Sequence, residues 1–221
     1  MDLPQNFRYA GHHCGIKKAT QTEDLSLVVA DRPCVAAGVY TRNQVVAAPV
    51  VLDRQRTPSS KIRAVIVNSG NANACTGAQG MQDAVAFTEL TAAAIDASPE
   101  QILVMSTGII GEPLPMDVIR MGIPQTAARL GHGEQEFMAA ARGIMTTDTT
   151  TKTCFRSLDA GTGQQISIAG MAKGSGMIGP NMATMLGTIL TDATLTPESA
   201  QELLGRYVDA SFNSINVDGH T

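Results

Sequence analysis

Cysteine and histidine are scarce in this chain of 221 residues, which contains four of each. No two cysteines form a CxxC pair, and no histidine stands at ligand spacing from a cysteine or a carboxylate. Such spacings are typical of the common zinc and dithiol sites. We therefore expect four free thiols and no bound metal.

Runs of like charge and long apolar stretches are also missing. The formal net charge is −4 and the charged residues are interspersed, which excludes the electrostatic footprint of a nucleic-acid or anionic-membrane protein. No apolar stretch is long enough to span a bilayer, and residues 1–8 are short and polar, unlike a signal peptide. We expect a cytoplasmic protein whose partners are small molecules.

The chain has ample hydrophobic content for a buried core, at 43% of residues. Short apolar runs bounded by polar residues predict strands, and apolar residues spaced three and four apart predict helices that cover a sheet. The expected fold class is therefore α/β, with helices layered on sheets. Strands are predicted at 25–30, 35–40, 45–52, 62–67, 102–105, 153–158, 165–169 and 185–190, and helices at 81–95, 116–130, 134–145 and 197–211.

A segment from Ala172 to Leu186 places three glycines and a proline between two predicted strands. Its backbone is expected to adopt conformations that other residues resist. Composition alone favours a tight surface turn with a solvated Lys173, because the GxxxxGK[ST] order of a phosphate-binding loop is absent. Thr184 alone would be an ordinary strand residue.

The same segment resembles the autoproteolysis signature of the ornithine acetyltransferases, the bifunctional glutamate N-acetyltransferases of arginine biosynthesis. Four further segments match the same family in the same order, so the chain is similar to the N-terminal part of these enzymes. The four are Gly15-Ile16-Lys17, Asn68-Ser69-Gly70-Asn71-Ala72-Asn73-Ala74-Cys75-Thr76-Gly77, Ser106-Thr107-Gly108-Ile109-Ile110-Gly111 and Met145-Thr146-Thr147-Asp148-Thr149.

The resemblance implies a layered sandwich of β-sheets flanked by helices, of the self-processing N-terminal-nucleophile type. It also implies cleavage between Ala183 and Thr184, which divides the chain into an alpha subunit at 1–183 and a truncated start of the beta subunit at 184–221. A threonine hydroxyl needs a base to become a nucleophile. The freed amine of Thr184 is a suitable base, because an α-amino group has a reference pKa of about 7.7–8.0.

Other site residues follow from the same resemblance. Thr107 and Gly108 match the oxyanion positions, and Thr146 and Lys173 match substrate-binding positions beside Thr184. Thr147 is an alternative to Thr146. Without the resemblance, 106–108 is a strand-ending turn and 146–149 a capping turn, since threonine and aspartate readily bond nearby backbone groups.

The implied reaction moves acetyl from N-acetylornithine to glutamate through an acetyl-Thr184 intermediate. No cofactor is expected, although some members of the family also accept acetyl-CoA as a co-substrate. The family implies a heterotetramer of two alpha and two beta chains. Two alternatives stay open: a related self-processing aminopeptidase or amidase, which passes its acyl group to water, and an inactive, unprocessed fragment.

Overall fold

A computed structural model describes residues 2–18, 21–161, 163, 165–180 and 184–220. The described residues form two β-sheets and several helices along the chain. In order, these are β1 (Phe7–His12), β2 (Leu25–Ala36), α1 (Ala48–Arg56), β3 (Ser59–Asn71), α2 (Gly77–Ile95), β4 (Ile102–Ile109), α3 (Met116–Ala127), α4 (Glu134–Gly143), β5 (Lys152–Asp159), β6 (Gln165–Lys173), β7 (Leu186–Thr191) and α5 (Pro197–Asp209), with short 3₁₀ turns at Pro99–Gln101 and Phe212–Ser214.

The first sheet has the strand order β1-β2-β3-β4. β1, β2 and β3 are antiparallel neighbours, whereas β4 is parallel to β3. A parallel pair needs a crossover connection, which α2 supplies. β3 and β4 therefore end at the same edge, where Gly70 pairs with Gly108.

The second sheet is an antiparallel sheet with the order β5-β6-β7. β6 ends at Lys173 and β7 begins at Leu186, and these two residues are register partners. The glycine-rich segment thus connects two hydrogen-bonded strands. Thr184 lies two residues before β7.

Two hydrophobic cores lie on opposite faces of the first sheet. One core contains Leu27 and Ile66 of the sheet with Phe87 of α2 and Ile119 of α3. The other, which we call the inter-sheet core, joins the first sheet, α4 and the second sheet; its members are Tyr9, Val28, Val67, Phe137, Ala140, Ala141, Ile144, Ala169, Met171 and Leu190. The ring of Phe137 on α4 lies 5.1 Å from those of both Tyr9 and Phe155.

This layered arrangement confirms the predicted α/β class, with two elements misjudged. The strand predicted at 45–52 is wrong, because Ala48–Arg56 forms α1 and buries Pro49, Leu52 and Asp53 at helical spacing. A short apolar run does not by itself distinguish a strand from a helix. The strand predicted at 35–40 is also wrong beyond Ala36, where β2 ends. β1 was not predicted, since Tyr9 and Ala10 are its only fully buried residues.

Among the described residues, the helices are too short or too polar for any of them to cross a membrane.

Candidate active site

The end of β4 carries the two residues predicted to stabilise an oxyanion. Thr107 is buried and Gly108 is exposed. Met105 packs against the inter-sheet core, and alternate strand residues share a face, so Thr107 points toward the same core. Its register partner Ser69 donates a hydroxyl hydrogen bond of 2.6 Å to the carbonyl oxygen of Gly143, at the end of α4.

Buried amides hold the loop that follows these residues. The side chain of Asn71 donates to the carbonyl oxygens of Glu112 and Pro113, both at 3.0 Å. Nearby, the backbone of Ala72 donates to Ile109 at 2.8 Å. Asn73 in turn binds Gly80 at the start of α2 through a 2.8 Å bond. No chemistry was predicted for Asn71 and Asn73, and these contacts give them a role in supporting the end of β4.

Lys173 ends β6 on the same side of the second sheet as Ala169 and Met171, which face the inter-sheet core. Its side chain is only 3% exposed. Burial lowers the pKa of Lys173 to about 8, although nearby Asp148 favours the charged form. A lysine with this pKa is a cation near neutral pH and loses its proton readily. The composition-based alternative of a solvated lysine does not fit this burial.

Asp148 connects the predicted substrate-binding threonine to the glycine-rich segment. Its carboxylate accepts hydrogen bonds from the backbone of Gly174 at 2.8 Å and of Thr146 at 3.3 Å, and it pairs with Lys152. Burial raises the pKa of Asp148, but the hydrogen bonds from Lys152 and from the two backbone groups have the larger combined effect. The pKa of Asp148 is therefore below its usual value. The carboxylate therefore joins the backbone of Thr146 to that of Gly174, the residue after Lys173, whereas Thr147 is exposed.

Lys17 lies beside the end of β3. Its side chain packs beside Gly70, where an added Cβ would lie 3.3 Å from the Cγ of Lys17. Burial lowers the pKa of Lys17, while the charges of Asp24, Glu23 and Asp148 oppose that change. Lys17 is thus near both Asp148 and the Gly70–Gly108 pair. Its motif, Gly15-Ile16-Lys17, is recognisable in the sequence, but the sequence alone predicts no role for this lysine.

Thr184 is half-buried, and its hydroxyl donates a short hydrogen bond to the carbonyl oxygen of Met177. Met177 has a positive φ of 56°, which is uncommon for a residue with a side chain. The other half of the predicted cleavage site, Ala183, lies outside the described residues. The structure therefore describes the predicted nucleophile and the acceptor of its hydrogen bond, but not the bond that it is predicted to cut.

The predicted site residues thus lie on both sheets, with Thr107 and Gly108 on the first and Lys173 on the second. Within the described parts of the chain, no three His, Cys, Asp or Glu side chains are grouped so that they could hold a metal ion. The described groups of this region that could take part in a reaction include a buried cation, a threonine hydroxyl and the backbone at the end of a strand.

A sequence model of the ArgJ family matches residues 8–221. The chain belongs to the ArgJ family. Two similar relatives are the arginine biosynthesis bifunctional proteins ArgJ of Rhodopirellula baltica and Geobacter sulfurreducens, each 52% identical. The matches cover 99% and 97% of this ArgJ-family chain but 53% and 54% of the relatives. The chain therefore spans about half the length of the curated relatives that it matches.

Two solved structures share the fold of this ArgJ-family chain at 38% sequence identity. The arginine biosynthesis bifunctional protein ArgJ of Bacillus halodurans has a TM-score of 0.74, with 83% of this chain and 92% of the solved chain covered. The ornithine acetyltransferase of Mycobacterium tuberculosis, solved in complex with ornithine, has a TM-score of 0.73, with coverage of 83% and 94%. These matches confirm the sandwich architecture.

Proposed function

We propose that this chain is the N-terminal part of a glutamate N-acetyltransferase of arginine biosynthesis. In this proposal, the protein cuts itself between Ala183 and Thr184, and Thr184 then carries acetyl from N-acetylornithine to glutamate. The strongest support is the placement of the Thr184 hydroxyl two residues before β7, whose first residue Leu186 pairs with the buried Lys173 at the end of β6. The names of the relatives support the pathway, and the ornithine bound to one related structure supports the substrate class.

Self-cleavage would begin when the hydroxyl oxygen of Thr184 attacks the carbonyl carbon of Ala183. The carbon–nitrogen bond breaks, the hydroxyl proton is transferred to the nitrogen, and an ester remains. Water then hydrolyses the ester, which leaves a carboxylate on Ala183 and a free amine and hydroxyl on Thr184. This reaction needs no cofactor.

Two observations support division into 1–183 and 184–221. β6 and β7 are hydrogen-bonded neighbours on either side of residue 184, so the pieces would stay together after cleavage. In addition, the match to each solved chain covers 83% of this chain but more than nine-tenths of the solved chain. Those solved chains are consequently shorter than this one, although the curated relatives are about twice as long.

Acetyl transfer would use the freed amine of Thr184 as the base for its own hydroxyl. The hydroxyl oxygen attacks the acetyl carbonyl carbon of N-acetylornithine, the amide bond breaks, and ornithine leaves with the proton. The amine of glutamate then attacks the carbonyl carbon of the ester, the bond to the Thr184 oxygen breaks, and the proton from the amine returns to that oxygen. Thr107 and Gly108 would donate to the oxyanion, and each such donor typically contributes about 2.7–4 kcal/mol.

Lys173 and Thr146 would bind the substrate. Both substrates carry a carboxylate, which a buried ammonium group recognises well. The positive charge of Lys173 would also disfavour protonation of the Thr184 amine and so keep it available as a base.

The main alternative is a self-processing aminopeptidase or amidase, which passes the acyl group to water instead of to glutamate. The relatives' names favour the transferase, because they are bifunctional proteins of arginine biosynthesis. Use of acetyl-CoA as a second donor, a heterotetramer of two alpha and two beta chains and a cytoplasmic location are further parts of the proposal.

Transfer of labelled acetyl from N-acetylornithine to glutamate by the full-length protein tests this function. We expect transfer by the wild type, an acetylated Thr184 peptide by mass spectrometry and no transfer by Thr184→Ala. Thr191→Ala, at the far end of β7, is the matched control and should remain active. Transfer that survives Thr184→Ala would contradict the proposal, and release of free acetate without acetylglutamate would favour the hydrolase.

A further inference from the structure

Asp218 is hydrogen-bonded to the turn that precedes Thr184. Its carboxylate accepts hydrogen bonds from the backbone N–H of Met177 at 2.7 Å and of Ile178 at 2.9 Å. The contact is reciprocal, because the backbone N–H of Val217 donates to the carbonyl oxygen of Ile178 at 2.9 Å. These bonds join two segments that lie about forty positions apart in the sequence.

The Asp218 carboxylate keeps its negative charge and so accepts these backbone hydrogen bonds well. The hydrogen bond from Met177 is the largest influence and holds the pKa of Asp218 below its usual value. His220 adds a third backbone N–H to the same carboxylate, at 3.2 Å. Asp218 therefore serves as an acceptor for several backbone donors, in the way that a carboxylate stabilises a tight turn.

The turn that Asp218 holds is the one that receives the Thr184 hydroxyl. The carbonyl oxygen of Met177 accepts the hydrogen bond from Thr184. Met177 has a positive φ of 56° and a side chain that is 44% exposed, so its own packing provides little restraint. Ile178 is buried and anchors the next residue. The two N–H groups that donate to Asp218 belong to the peptide units that set the direction of the Met177 carbonyl.

We propose that Asp218 is a positioning residue for self-cleavage, which fixes the Met177–Ile178 turn so that the Met177 carbonyl orients the Thr184 hydroxyl. This inference rests on the proposed self-cleavage before Thr184. An amide carbonyl is too weak a base to take the hydroxyl proton, so its role is to fix the side-chain rotamer of Thr184. Asp218 acts one step further away and holds the carbonyl itself.

The hydrogen bonds of Asp218 also join the two sides of the proposed cleavage point. Asp218 follows residue 184 in the sequence and Met177 precedes it, so cleavage would put the carboxylate and the turn on different pieces. The bonds between them would then help to keep the turn beside the new N-terminus, together with the pairing of β6 and β7.

The test measures the rate of self-cleavage of the full-length protein during pulse-labelled cell-free synthesis, with denaturing electrophoresis as the readout. Asp218→Asn keeps the size of the side chain but only one acceptor oxygen, and Asp218→Ala removes both. We expect each to slow cleavage by roughly tenfold or more, as the loss of charged hydrogen bonds implies. Asp218→Glu restores two acceptors and the charge, and should be faster than Asp218→Asn.

Asp192→Asn is the matched control. The Asp192 carboxylate also accepts two backbone N–H bonds, from Ser167 at 2.8 Å and from Gln5 at 3.2 Å, but it lies just beyond the far end of β7. We expect this variant to lose thermal stability while it cleaves at the wild-type rate. Melting temperatures of all variants, measured in the same buffer, separate slow cleavage from poor folding.

Hydroxylamine distinguishes the two chemical steps, because it cleaves an ester but not a peptide bond. If Asp218 orients the hydroxyl for the first attack, hydroxylamine does not restore the cleavage rate of Asp218→Ala. Restoration to the wild-type rate, or unchanged cleavage by Asp218→Asn and Asp218→Ala without it, would overturn the inference. A wild-type protein that stays intact, or a Thr184→Ala protein that cleaves, would instead refute the proposed function.

Discussion

Gly70 and Gly108 lie side by side at the ends of two parallel strands, with no room for a side chain between them. A Cβ added to Gly108 would lie 2.3 Å from the carbonyl carbon of Gly70. Gly108 also has a positive φ of 137°, which L-residues rarely adopt. The close approach places exposed backbone directly after Thr107, at the position proposed to receive an oxyanion.

Gly108→Ala is therefore expected to abolish acetyl transfer and to destabilise the protein. Because the added carbon would meet backbone atoms, the strand ends must shift, and we expect a loss of about 2 kcal/mol or more. Chemical denaturation and the acetyl-transfer assay measure the two effects. Gly111→Ala is the control, since Gly111 has a positive φ of 85° but nothing within 4 Å of its Cβ position. Equal losses in both variants would show that backbone conformation alone, and not the close approach, matters.

Lys173 provides a prediction about pH. Burial lowers its pKa from the usual 10.5 to about 8, so the ammonium group that would bind a substrate carboxylate is lost as the pH rises through that value. We expect the KM for glutamate to increase between pH 7 and pH 9.5, while the Thr184 amine affects mainly kcat. Lys173→Met should raise the KM by about tenfold or more at pH 7, because a charged hydrogen bond is lost.

Two control variants test the reason for this pH dependence. Lys173→Arg keeps a cation at every pH in the range and should show a KM that no longer rises above pH 8. Lys61→Met removes an exposed lysine on β3 and should behave like the wild type. A wild-type KM that stays constant from pH 7 to pH 9.5 would exclude Lys173 as the titrating group.

Residue type and order are enough to propose several residues of the site, and their roles stay predictions. Thr184, Lys173, Thr107 and Gly108 are identifiable because they lie in motifs that resemble one family. The short apolar run at 62–67 and the strand-like stretch at 153–158 predict β3 and β5, and both strands form there. These features are local, so a single sequence contains the information.

The carboxylates that organise the site could not be predicted in the same way. Asp148 bonds to Gly174, and Asp218 bonds to Met177 and Ile178, across 26, 41 and 40 positions of the sequence. No periodicity relates residues at such distances, since their contact depends on how the second sheet folds. α1 was misjudged for a related reason: the helix is fixed by packing of Leu52 and Asp53 against the first sheet, which the apolar pattern of 45–52 does not show.

The Asp53 carboxyl group is expected to make the folded protein less stable as the pH rises. This group is buried in α1 and accepts the N–H of Val104 through both oxygens, at 3.0 and 3.2 Å. Burial raises its pKa from 3.8 to about 7, against the bond from Val104 and the charge of Arg56. Because the folded state holds the proton more tightly, this stabilising contribution is complete below pH 3.8 and is lost as the pH rises through about 7.

Asp53→Asn should therefore make the protein more stable than the wild type at pH 8, by about 2 kcal/mol. The amide keeps an oxygen that can accept the Val104 hydrogen bond and has no charge to bury. Urea denaturation at pH 5, 6.5 and 8 measures the difference. Asp31→Asn, which removes an exposed carboxyl paired with Arg8, should follow the wild type at all three values. An Asp53→Asn protein whose advantage does not grow with pH would contradict the assignment.

Asp24 leads to the opposite pH dependence. The fully buried carboxylate accepts three backbone N–H bonds from the loop that carries Lys17: from Cys14 at 2.7 Å and from Gly15 and Lys17 at 3.0 Å. Burial raises its pKa, but these bonds lower it to a value below the usual one. The stabilisation is therefore present above about pH 4 and is lost as the pH falls below it.

Asp24→Asn tests whether this loop supports the site as well as the fold. An amide nitrogen would face backbone donors in place of one oxygen, so we expect a loss of about 2–3 kcal/mol at pH 7. Transfer activity should also fall, since the displaced loop holds Lys17 beside Gly70. Glu23→Gln is the neighbouring control: it breaks a partly exposed ion pair with Arg142, and such pairs typically contribute about 0–1 kcal/mol. If activity falls equally in both variants below their melting temperatures, the buried carboxylate is not what holds Lys17 in place.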